Sequence, residues 1–230
     1  MNRRLASLLA ASLLLVSSTA LAQAEAPPPP PPLEDSGGGG GGAWSVYSGR
    51  TLHSGNVFAA EVGWPGLNAS FYHGAGGFDI GGRFTFNYGT EMEFGILPAL
   101  NLHFLMRFGL LDRGMFTMAL QIEPGVGFFF TNGAGMGIYM PVALQMGIHP
   151  ISALAILMGI EVRPQIGISF GGAGVGFYLP LLFVNPGVEY ALTSNVALTF
   201  RMAFGPGIVA TRGGGVVFAF RALMGVTIKL

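Results

Sequence analysis

The side chains that could do acid–base, ion-binding or ligand chemistry are few in this chain, and their spacing is regular. Asp79, Arg83 and Asn87 share the odd positions of the stretch Phe78 to Tyr88, whose even positions carry Phe78, Ile80, Phe84, Phe86 and Tyr88. The same separation recurs downstream. Glu93, His103 and Arg107 oppose Phe94, Ile96, Leu102, Phe104 and Phe108; Gln121 and Glu123 oppose Leu120 and Ile122. Glu161 and Arg163 oppose Ile160 and Val162, Arg201 opposes Phe200 and Met202, and Arg221 opposes Phe218 and Phe220. Glu61 and Glu189 complete a set of mixed sign. Two chemistries fit it, a lining that selects solutes and a network in which arginine and carboxylate pair off. The second is expected, because a small closed sheet leaves an interior that side chains fill, and mixed charge argues against strong ion selectivity.

Other chemistry finds less support. A histidine with a serine or aspartate would suit acyl transfer. Yet His53, His73, His103 and His149 are dispersed, and no serine stands in a nucleophile-elbow context. The same dispersion gives no metal-ligand spacing. Gly171-Gly172-Ala173-Gly174-Val175-Gly176 lacks the Lys-Ser/Thr step of a phosphate loop and reads as a tight hairpin. Neither catalysis nor a cofactor is expected.

Alternation with period two is the signature of a strand with two faces. Turn signals come at fairly even intervals: 53–55, 73–77, 89–91, 112–114, 131–135, 150–151, 171–174, 193–195 and 212–215. These nine turns divide ten strands from Ala43 onward, with eight the alternative if Ala43 to His73 forms a separate extension or plug. The chain is 51% hydrophobic and 10% charged, which suits strands whose majority face meets lipid. A Lys or Arg facing the bilayer midplane costs roughly 2 to 4 kcal/mol, so charges belong on the lumen side. The expected fold is all-β, a single antiparallel transmembrane β-barrel over 43–230. Two regions depart from the rule: the apolar parity switches at Trp64-Pro65-Gly66, which marks a bulge or tight turn, and both parities are apolar from Val175 to Phe183. Recurrent Pro-Gly steps at Pro124, Pro186 and Pro206, with Pro164 similar, are expected to bend or bulge the wall, because proline removes a ladder donor. Trp44, Trp64, Tyr72, Tyr88, Tyr139, Tyr178 and Tyr190 fit interfacial girdles, and strand packing alone also explains them.

The beginning of the chain is of another kind. Residues 1–24 read as a secretory signal peptide, with Arg3 and Arg4, an apolar core and two Ala-x-Ala cleavage motifs. Residues 25–42 read as a disordered linker, six prolines forming a stiff part and six glycines a loose one. Eleven basic and eleven acidic residues cancel, which leaves no electrostatic footprint for nucleic acid. The absence of cysteine excludes disulfides and thiolate metal sites.

Signal peptide, amphipathic strands and a strand-final terminus together resemble the small outer-membrane β-barrel proteins of Gram-negative bacteria, over 43–230 plus the signal. The chain departs from their pattern in ending on Leu230 where an aromatic is typical. The resemblance implies an outer-membrane location, lipid as the surrounding partner, and the barrel assembly machinery as a partner in biogenesis. The role expected is structural or that of a narrow pore, with a lipid-acting barrel enzyme and a ligand-binding or adhesion barrel as alternatives.

Overall fold

The computed structural model describes residues 45–90, 96–130, 134–171, 174–210 and 214–230. Residues 1–24, read above as a signal peptide, residues 25–42, read as a linker, Trp44 and Glu93 lie outside them. Over the described residues the chain is all β and antiparallel, in fourteen strand segments. The first four are β1 (Asn56–Trp64), β2 (Gly66–Gly74), β3 (Phe78–Gly89) and β4 (Ile96–Arg113). Then come β5 (Phe116–Ile122), β6 (Gly125–Phe129), β7 (Gly135–Tyr139), β8 (Val142–Ile151), β9 (Leu154–Val162) and β10 (Gln165–Ser169). The chain closes with β11 (Gly174–Leu182), β12 (Gly187–Ala191), β13 (Val196–Ala210) and β14 (Val216–Lys229).

β1 pairs with both β2 and β14, and each segment after it has a hydrogen-bonded neighbour on either side. The sheet therefore closes on itself and leaves no aggregation-prone edge strand. β5 and β6 both pair with β4, and β7 and β8 pair with β6 and β5 in turn. β10 and β9 continue the ring beside β7 and β8, and β11 and β12 both pair with β13.

This differs from the expectation of ten strands in two ways. Residues 45–52 are not a strand at all, whereas Trp64-Pro65-Gly66 is a tight turn that makes a hairpin of β1 and β2. Elsewhere proline divides strands. Pro124, Pro141 and Pro164 separate β5 from β6, β7 from β8 and β9 from β10, and Pro186 ends the gap between β11 and β12. These breaks lie side by side, because Phe104 N–H donates to Pro124 O at 2.9 Å, Glu123 N–H to Pro141 O at 2.8 Å, Met140 N–H to Pro164 O at 3.0 Å and Arg163 N–H to Pro180 O at 3.0 Å. A row of prolines thus crosses four neighbouring lanes of the wall: Pro124, Pro141 and Pro164 stand at breaks, and Pro180 lies within β11 opposite Gly207. Pro206 is the exception and corrects the expectation for that step, since it lies within β13 in continuous register with Phe218. Phe204 exchanges both its backbone bonds with Val184, so Pro206, two residues on, turns its missing donor toward the same interrupted neighbour.

The two faces sort as the parity requires. Phe78, Ile80, Phe84, Phe86 and Tyr88 of β3 are exposed, and Asp79, Arg83 and Thr85 are buried. The outer surface carries a wide apolar belt, drawn from every side of the ring: Phe58, Leu102, Phe128, Ile160, Phe200 and Met224 are all exposed. The doubly apolar stretch of β11 is explained by Leu182, which turns inward and packs with Ala203 and Ala219.

On the side of the proline row away from the start of β1 and the end of β14, glycine lines the inner wall. Gly127, Gly137, Gly167 and Gly176 are register partners on β6, β7, β10 and β11. A Cβ on Gly127 would lie 2.9 Å from the Tyr139 ring, and one on Gly167 would lie 3.5 Å from that of Tyr178. The glycines thus provide the depth in which inward-facing rings lie. We predict that Gly127→Leu destabilises the protein in micelles by about 1 to 3 kcal/mol, through overpacking against Tyr139 and Asn101. Val126→Leu, on the outer face, should leave the urea midpoint unchanged within error; equal effects of the two would refute the arrangement.

Candidate functional site

The barrel interior is the concentration of polar chemistry among the described residues. It is built in layers, and the one nearest the start of β1 and the end of β14 is the segment 45–52, almost all of which is buried. Ser45 Oγ accepts from the N–H groups of Tyr47 at 3.2 Å and Ser48 at 3.0 Å, which folds the segment into a compact turn. The wall then grips its backbone. Arg107 donates to Val46 O, Thr117 Oγ1 donates to Ser48 O at 2.6 Å, and Leu52 N–H donates to Asp79 Oδ1 at 2.8 Å. Gly49 has φ +78°, and a Cβ there would lie 2.6 Å from Gln145 O, so only glycine fits. Arg50 reaches the β4–β5 turn, donating to Asp112 at 3.2 Å and to Gly114 O at 2.9 Å. Val46, Tyr47 and Leu52 share an apolar cluster with Val57, Tyr72, Leu105 and Leu157 from the wall. The segment is an inlay across one mouth of the barrel.

Most of the residues singled out from sequence meet in ion pairs. Asp79 and Arg107, both without solvent access, are joined at 2.6 Å. Arg83 donates to both oxygens of Glu123, at 2.9 and 2.8 Å, and its other nitrogens reach Ser70 Oγ and Tyr72 Oη at 2.9 Å each. Gln121 also donates to Glu123 and accepts from Gln145 at 3.0 Å. Arg201 holds Glu61 in a bidentate pair at 2.6 and 2.7 Å, the geometry in which guanidinium and carboxylate are strongest. Its guanidinium also lies 4.2 Å from the centroid of the Tyr47 ring. Glu161 is shared by Arg221 and by Arg163, the latter at 3.4 Å. His103 approaches Glu123 O through Nδ1 at 3.3 Å and lies against the Tyr139 ring.

Three residues of the set stand apart. Glu189 is buried among hydroxyls, Thr199 at 3.3 Å and Ser45, rather than beside an arginine. Asn87 is only half-buried and lies toward the far end of β3 beside Gly66. Glu93 is outside the described residues. A cavity of about 40 Å³ lies beside Tyr47, lined also by Gln145, Glu161, Arg201 and Arg221. It is large enough for one or two water molecules and no larger solute. Burial, with Glu61 close by, pushes the Tyr47 phenol well above its ordinary pKa, so it meets the cavity as a neutral hydroxyl.

Aromatic placement corrects the girdle expectation. Tyr72 is wholly buried in the lumen, and Tyr139 and Tyr178 lay their rings over the inward glycines. Tyr72 shares the parity of Asn68 and Ser70, and that signal places it inside. Trp64, Tyr88 and Tyr190 are consistent with an outer position, Trp64 and Tyr88 forming an edge contact at 5.9 Å. Nothing in the sequence pattern marks the inlay apart from Gly49 and Arg50. No family model, no curated protein and no solved structure matches the chain.

Removing one member of a buried pair strands the other charge, at a cost of about 3 to 5 kcal/mol. We therefore predict that Arg83→Ala and Glu123→Ala each lower the unfolding free energy in micelles by that amount, and that the double variant loses much less than their sum. Additive losses in the double-mutant cycle would mean that the two side chains do not pair.

Proposed function

We propose that this chain is a transmembrane β-barrel protein of the Gram-negative outer membrane, closed within, whose role is structural rather than conducting or catalytic. The observation that carries the reading is the separation of surfaces: an apolar belt around the whole outside, with ion pairs sealed on the inside. Water would solvate such a belt poorly, whereas acyl chains match it. The end of β14 lies beside the start of β1, Lys229 opposite Val57, as an even number of crossings requires. An even number returns the end of the chain to the side on which β1 begins. A strand tilted near 40° needs roughly ten residues to cross an apolar band about 25 Å tall. The uninterrupted β3 and β13, at 12 and 15 residues, are long enough. Lipid is then the surrounding partner, and the barrel assembly machinery the partner in biogenesis.

The filled lumen favours the structural role over the pore. The inlay, the paired charges and the rings lying on glycine occupy successive levels of the interior. Refolded into phosphatidylcholine vesicles, the protein should migrate faster on gels before boiling than after, and in planar bilayers it should show no steady conductance. Solubility without detergent would contradict the membrane reading, and stable ohmic channels would contradict the closed lumen.

A further inference from the structure

The inlay is fastened to the wall at one point through Thr117, which a histidine supports from behind, and the hydrogen-bond directions there are fixed by counting protons. Thr117 Oγ1 has one hydrogen and lies 2.6 Å from Ser48 O, which can only accept. That hydrogen therefore goes to Ser48 O, and the contact of 3.1 Å between Thr117 Oγ1 and His149 Nε2 must be a donation from the imidazole N–H. His149 Nδ1 is then a bare acceptor. It is buried, with no hydrogen-bond partner among the described residues. The charged groups that face the ring are Arg50 of the inlay and Asp112 of β4, already paired with each other at 3.2 Å.

We propose that residues 45–52 are a proton-released closure of the barrel mouth, with His149 as the trigger. The inference rests on the same reading of the lumen as a closed interior. A proton on Nδ1 would create a second donor where no protein acceptor stands, beside the Arg50 guanidinium. Arg50 belongs to the segment that can leave, whereas Asp112 and His149 belong to the wall. Undocking exposes Nδ1 to water and takes Arg50 away, so the protonated ring favours the released form. The sign follows: docking is strongest above the ordinary histidine value of about 6.5 and weakens as pH falls below it. Glu189, which receives Ser45 at the other end of the inlay and feels Arg107 as well, is untouched by a change at His149.

Amide hydrogen exchange of the full chain in micelles tests this, with each peptide's protection expressed against its own intrinsic rate at that pH. Between pH 7 and pH 5 the protection of the peptide covering 45–52 should fall by about tenfold or more, as a coupled proton allows. β13 and β14 should stay protected. His149→Gln, whose side-chain N–H can still serve Thr117 but which cannot take up the proton, should keep 45–52 protected at both pH values. Unchanged protection in the parent chain would overturn the proposal, and so would an equal fall in His149→Gln. A fall shared by the strands would also overturn it, since the barrel and not the closure would then be opening.

Discussion

Arg107 and Asp79 form the contact on which the interior is hung. Neither has access to solvent, and they lie opposite each other as register partners on β4 and β3. The same two side chains hold both arms of the inlay, Arg107 through Val46 O and Asp79 through the N–H of Leu52. A guanidinium at that depth is tolerable only while its donors are met, and breaking such a pair leaves a buried charge with nothing to neutralise it. Wall register therefore sets where 45–52 is seated. A slip of β3 by one residue would turn Asp79 out to the apolar surface and Phe78 or Ile80 into the charge layer.

From that condition the rest of the barrel follows in layers. Toward the start of β1 and the end of β14, the inlay and its apolar cluster close the mouth. In the middle, arginines and carboxylates pair across strands distant in sequence, as Arg201 does with Glu61. Beyond the proline row the interior changes character, and aromatic rings lie on a glycine floor. The prolines and glycines thus have different tasks. Proline stands at breaks in three lanes of the ladder, and glycine lets bulky side chains lie inside a narrow ring.

Much of this was legible in the sequence, because parity is local. The facing of Asp79, Arg83, Arg107, Glu123 and Glu161 needed only alternation and the cost of a charge in lipid. Parity also places Tyr72 inside with Asn68 and Ser70, and Tyr139 opposite Ile138 and Met140, against the general preference of tyrosine for an interface; Tyr178 lies where both parities are apolar and is not marked. The strand count was misread because the turn at 53–55 looks the same whether it follows a strand or an inlay, and because Trp64-Pro65-Gly66 admits both a bulge and a turn. What was not legible is who pairs with whom. Arg201 and Glu61 are 140 residues apart, and only closure of the ring brings them together. Ser45 to Leu52 carries no strand periodicity, since it is a compact turn held by its backbone as well as by side chains such as Tyr47 and Arg50.

The central claim is that the even face of β3 meets lipid while its odd face meets a packed interior. The chain has no cysteine, so single nitroxide labels can be placed at Phe78, Ile80, Phe84, Phe86 and Tyr88 of protein in vesicles without background. The decisive measurement is their collision rate with oxygen, which concentrates in acyl chains, against that with a water-soluble nickel chelate. Oxygen contact that is greatest near Phe84 and declines toward both ends, with the chelate excluded throughout the middle, is the predicted result. Free access of the chelate to Phe84 and Phe86 would contradict it, because the apolar belt would then face water.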